Sequence, residues 1–169
     1  METSFLKTDA VLWILVALAF ALRVVGIGYG LPLTLVADEP PFVLASLQMI
    51  QTHTVIPALH VEAFKNILYY PPYISYVYLL PFTAITAIQY LLWHGGSALF
   101  SAHLLSDLSA FSLTARFLSA ALGAGAVYLV YRIAQSLYSS RIGAAVAGFL
   151  LATSLIHESL SMVGRHWLP

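Results

Sequence analysis

The sequence predicts an all-α membrane protein, with about three transmembrane helices and interfacial helices in a long first outer loop. Two totals and one pattern carry this. Of the 169 residues, 60% are hydrophobic and 8% charged, where a soluble domain has about 25% charged residues. The mean hydropathy is +0.88. Long apolar runs alternate with short stretches that hold most of the glycine, proline and charge. Net charge is zero and no basic run exists, which removes nucleic acid and polybasic lipid binding as functions. Cysteine is absent, so disulfides, thiolate catalysis and thiolate metal sites are excluded.

The N-terminus, METSFLKTDAVLWILVALAFALR, reads as a retained signal anchor, because its apolar run continues to Arg23 and Val25 without a small-residue cleavage site. The first span covers roughly Ala10 to Ile27, about 27 Å of helix against a hydrocarbon core of about 30 Å. Trp13 and Tyr29 stand near its ends as interface anchors. Lys7 favours a cytoplasmic N-terminus, which puts Asp38 and Glu39 outside. Arg23, about one turn from the outer end, is expected to snorkel outward.

From Pro41 to Gln51 the chain is apolar but too short to span. It reads as an interfacial helix, opened by Asp38 or Glu39 as cap and by proline in the first turn. The segment to Lys65, with His53, His60 and Glu62, is outer loop. Hydropathy alone makes Pro72–Trp93 a second span, giving a four-span alternative. The charges favour the other arrangement. If Pro72–Trp93 stays outside, the hairpin Arg132 to Arg141 is cytoplasmic with Lys7, and His94–Ala110, which lacks Lys and Arg, is outside. Pro81 and the tyrosines at 69, 70, 73, 76 and 78 suit an interfacial or re-entrant element.

Ser112–Ala134 and Ile142–Ile156 are then two spans joined by a tight turn at Ser139-Ser140. Small residues recur four apart: Ser119/Gly123, Ala121/Gly125, Gly143/Ala147 and Ala144/Gly148/Ala152. This spacing lines one helix face with small side chains and serves close backbone packing in lipid. The final stretch, HESLSMVGRHWLP, emerges on the side of Asp38-Glu39. Residues 1–169 form one membrane domain with no internal repeat.

The order Arg23, then Gly26-Ile27-Gly28-Tyr29-Gly30-Leu31-Pro32, then Asp38-Glu39 resembles the first helix and first outer loop of the C-type (GT-C fold) glycosyltransferases, the group with the protein O-mannosyltransferases and the lipid A aminoarabinose transferase. Ser161 to Trp167 matches in part a Ser-x-x-x-Arg-x-Asp pattern of that family, with Trp167 in place of the acidic residue. A two-carboxylate metal site is therefore not implied, and a divalent metal cofactor stays open. The family module has several more spans, so the resemblance implies the N-terminal portion of a larger enzyme, incomplete and inactive alone.

The resemblance implies that Asp38 acts as the base that takes a proton from an acceptor hydroxyl, or positions that acceptor. From position alone Asp38 is a helix cap. Glu39 is a partner that tunes Asp38, or a solvated neighbour. Arg165 matches the motif and is a candidate for the donor phosphate, the plain alternative being a topological anchor. His166 beside it could help bind phosphate or metal, though a lone His is a poor ligand signal. Lys65 is a further phosphate candidate. It departs from the aminoarabinose transferase, in which a Lys directly precedes the proline of the outer-loop helix, the place Tyr70 takes here; the plain reading is a snorkelling Lys. Arg116 is a lipid-phosphate contact or an anchor, and His157 and Glu158 are boundary polar residues.

The function expected on this basis is transfer of a sugar from a polyprenyl-phosphate donor to a hydroxyl-bearing protein, lipid or glycan acceptor, at the outer face of the cytoplasmic membrane. Its partners would be membrane lipid, donor and acceptor, without nucleic acid. The rival is a small non-catalytic membrane subunit or transporter fragment that uses Arg23 and Asp38-Glu39 as structural or ion-path charges.

Overall fold

The structure, a computed structural model, describes residues 9–32, 39–65, 67 and 73–157. Among these the fold is helical without strands. Two helices are long and apolar enough to cross a membrane, Tyr73–Leu92 and Ser109–Tyr138.

Helix α1, Ala10–Val24, starts at Asp9, whose carboxylate accepts the Val11 backbone N–H at 3.2 Å. It is shorter than the expected span because Gly26 and Gly30 take φ of 76°, a left-handed conformation only glycine enters without steric cost. The chain turns there instead of extending the helix to Ile27. Helix α2, Pro40–Gln51, has its prolines in the first turn, as expected, where a missing N–H costs nothing. Glu39 occupies its cap position, yet the side chain makes no capping bond and is used elsewhere.

A 3-10 turn, Pro57–His60, and a single helical turn, α3 at Val61–Phe64, follow. Helix α4, Tyr73–Leu92, contains Pro81. Helix α5, Ser97–Ser106, lies in the His94–Ala110 stretch, for which the sequence indicates a side of the membrane but no helix. Trp93, just after α4, and Tyr90 within it hold α5 by ring contacts with His103 and Phe100, at 4.3 and 5.1 Å between centroids.

Helix α6, Ser109–Tyr138, is the axis of the molecule, about 45 Å long. It starts earlier and ends later than the expected span. Ser139 closes it at φ 48° and Ser140 caps α7, Arg141–Ala152, by accepting from the Gly143 N–H at 3.2 Å. The turn predicted at these two serines is therefore present. Helix α7 stops at Ala152, short of the expected Ile156.

The two halves of α6 face different partners. Its C-terminal half packs against α1 and α7, with Leu12, Leu15, Val127 and Ala144 in one core. Its N-terminal half meets α2 and α4, with Phe111 and Ala115 against Val43, Tyr78 and Phe82. Of the small-residue faces, Ala144, Gly148 and Ala152 are all buried. A methyl on Gly148 would meet the Leu15 side chain at 3.3 Å and the Tyr131 ring at 3.5 Å, so this face makes room for large side chains of α1 and α6. The Ala121/Gly125 pair does not pack. Ala121 is exposed and nothing lies within 4 Å of a side chain added at Gly125.

Contacts at both ends fix the direction of the bundle. Tyr131, late in α6, donates its hydroxyl to Asp9 at the start of α1. Arg116, early in α6, reaches the Ile27 and Tyr29 carbonyls just after α1 ends. Helices α1 and α6 are thus antiparallel. The exit of α1 and the start of α6 thus lie at the same end of the bundle.

Candidate functional site

The end of the bundle at which α1 exits collects four buried ionisable side chains: Arg23, Glu39, Arg116 and His157. Each comes from a different segment. Arg23 ends α1, Glu39 opens α2, Arg116 lies two turns into α6, and His157 follows α7.

Arg116 is the centre of one group. Its Nε donates to Glu39 Oε1 and Oε2 at 2.9 and 3.1 Å, and its Nη2 donates to Oε2 at 2.7 Å. Its Nη1 donates to the Ile27 carbonyl at 2.6 Å and to the Tyr29 carbonyl at 2.8 Å. Both partners of the ion pair are about 2% exposed. Removing two charges from water costs several kcal/mol each, and the deficit is met only when geometry and further hydrogen bonds are good. Here a forked guanidinium meets the carboxylate side-on, and its remaining nitrogen satisfies two carbonyls left open by the Gly-rich turn.

Arg23 forms the second group. It is fully buried, so the expected outward snorkel is replaced by inward contacts. Its Nη1 donates to the Ala19 carbonyl at 2.7 Å, and its Nη2 bonds the Nδ1 of His157. Since guanidinium only donates, Nδ1 is the acceptor and the imidazole holds its proton on Nε2. This contact ties the chain after α7 to the end of α1.

The sequence candidates fall as follows. Glu39 is a buried, ion-paired residue, which overturns its reading as a solvated neighbour. Lys65 is exposed and pairs with Glu62 three residues before it, on an exposed surface. Asp38, Arg165 and His166 lie outside the described residues, as do Tyr69, Tyr70 and Glu158. Arg116 is neither lipid contact nor anchor; its guanidinium is spent on Glu39 and the turn. A signal for this was present in the sequence. An arginine inside an apolar helix needs a partner, and the seven acidic residues of the chain offer few choices.

Among the described residues, no three His, Asp or Glu side chains gather as a metal-ligand set. Helices α2, α4 and α5 enclose an apolar cavity of about 170 Å³, lined by Leu47, Ile50, Thr86, Phe100, Leu104 and Leu105. It opens about three turns along α2 from Glu39. Comparison of the chain with protein-family models, with curated proteins and with solved structures finds no match in any of the three.

Proposed function

We propose that the chain is the front of an integral-membrane glycosyltransferase of the C type, working at the outer face of the cytoplasmic membrane with a polyprenyl-phosphate sugar as donor. The observation that carries this reading is the convergence at one end of the bundle. The start of α2, the exit of α1 and the chain after α7 are joined there by Arg116–Glu39 and Arg23–His157. An enzyme of this kind needs its acidic turn and its last exit on one side, whereas a subunit or transporter fragment gains nothing from it.

The same contacts support a topology of three spans, α1, α6 and α7. A single crossing by α4 would put the start of α6 at the opposite end from Tyr29, but Arg116 bonds the Tyr29 carbonyl. Helices α2, α4 and α5 then lie on the outer side, and the apolar cavity between them is a wall suited to a lipid donor. A lipid donor also accounts for the lack of a Gly-rich nucleotide loop.

In the reaction, the acceptor hydroxyl oxygen attacks the anomeric carbon as Asp38 takes its proton. The bond from that carbon to the phosphate oxygen breaks, and the electron pair leaves with the lipid phosphate. Arg165, with His166 beside it and Lys65 as a further cation, is proposed to bind that phosphate. Glu39 is not a second base, because Arg116 holds both its oxygens. Asp38→Asn in the full-length protein tests this, since Asn caps a helix about as well as Asp and the change isolates the charge. Transfer from a radiolabelled polyprenyl-phosphate sugar should fall by about 10²–10⁴-fold with insertion intact. Near wild-type transfer would sink Asp38 as base.

A further inference from the structure

We infer that Arg116 is a positioning residue, a bracket that sets the location of the acidic turn relative to the end of α1. The inference rests on the glycosyl-transfer reading of the same site. One guanidinium holds both ends of the segment between Tyr29 and Glu39. The Nε–Nη2 edge grips the Glu39 carboxylate, and Nη1 points the other way to the carbonyls of Ile27 and Tyr29. Glu39 is one peptide bond from Asp38 and directly precedes the rigid Pro40-Pro41 start of α2. Arg116 therefore fixes Glu39, the residue next to Asp38 in sequence, against α6.

The division of donors separates a bracket from a plain ion pair. A plain pair works in either orientation. A bracket does not, because a carboxylate at position 116 would face two carbonyls that need donors, and three acceptors would meet with no hydrogen between them. Lysine at 116 retains the charge but lacks the planar fork that reaches both sides.

The test uses the full-length protein in proteoliposomes, with spin labels at the exposed positions Tyr29 and Gln51. The wild type should give a narrow distance distribution. Arg116→Lys should insert normally, broaden that distribution, and lower kcat for sugar transfer on the order of 10²-fold, the cost of a small misplacement. KM for the donor should not move, because phosphate binding is assigned elsewhere. The swap Glu39→Arg with Arg116→Glu should restore neither narrowness nor rate. A swap that restores both would overturn the bracket, as would Arg116→Lys with an unchanged distribution. Should Arg116→Lys fail to insert, Glu39→Asp, which retains both charges on a shorter acid, serves in its place with the same expectations. A wild type that transfers no sugar, with a distribution that still broadens in Arg116→Lys, would overturn the glycosyltransferase reading while sustaining the bracket.

Discussion

Glu39 and Arg116 are each nearly fully buried, so the pair is held by geometry that neither residue can supply alone. Truncating one partner of such a pair strands the other charge, and Glu39→Gln should destabilise the fold by roughly 3–5 kcal/mol. Thermal unfolding in detergent checks this, with Glu62→Gln as control. Glu62 and Lys65 are 84% and 55% exposed, and losing that pair should cost no more than about 1 kcal/mol. At the opposite end, the Tyr131 hydroxyl holds the Asp9 carboxyl below its ordinary value of 3.8. A depressed carboxylate pKa means the fold favours the charged form. Its stabilisation is therefore present above 3.8 and lost as pH falls through the folded value. Tyr131→Phe should flatten the pH dependence of unfolding in that acid range, and an unchanged profile would remove this bond as the cause.

At the scale of elements, the glycines of α6 and α7 look alike in sequence but differ in what surrounds them. Gly148 faces Leu15 and Tyr131 across a tight contact, so Gly148→Leu should cost about 1–3 kcal/mol by overpacking. Gly125 faces open space, and Gly125→Ala should be neutral or stabilise α6 by up to about 1 kcal/mol. Unfolding of the two variants side by side checks the contrast. The four-residue spacing of small residues was legible in the sequence, but which of the parallel stripes packs depends on how α1 sits against α6 and α7, and that orientation is set by distant residues. The helical character, the Pro-led start of α2 and the Ser139-Ser140 turn were legible because each follows from local chemistry. The end of α1 was misjudged since valine and isoleucine around Gly26 continue the apolar run while the glycine conformation ends the helix. Helix α5, bounded by Gly95-Gly96 and Asp107, was not assigned from sequence. Of the candidate site, the acidic pair was visible as charge in an apolar chain. That Arg116 needs an acidic partner was visible too; that the partner is Glu39 was not, because 77 residues separate them in sequence.

On the scale of the whole molecule, we propose that Glu39 at the start of α2, helices α4 and α5, and His157 after α7 share the outer side of the membrane. Length and apolarity leave α4 free to cross, and by those measures it is as good a span as α6. What argues against its crossing is the pair of end contacts, Asp9–Tyr131 and Arg116 with the α1 exit, which set α1 and α6 antiparallel. Positive charge agrees, with Arg132 and Arg141 at the end of the bundle where α1 begins. The measurement that tests this most directly is labelling of single cysteines in intact cells with a membrane-impermeant maleimide. Gly96 and Tyr138 are both exposed and suit it. Gly96→Cys should label in intact cells, and Tyr138→Cys only after permeabilisation. The reverse pattern would contradict this placement of α4 and α5 outside.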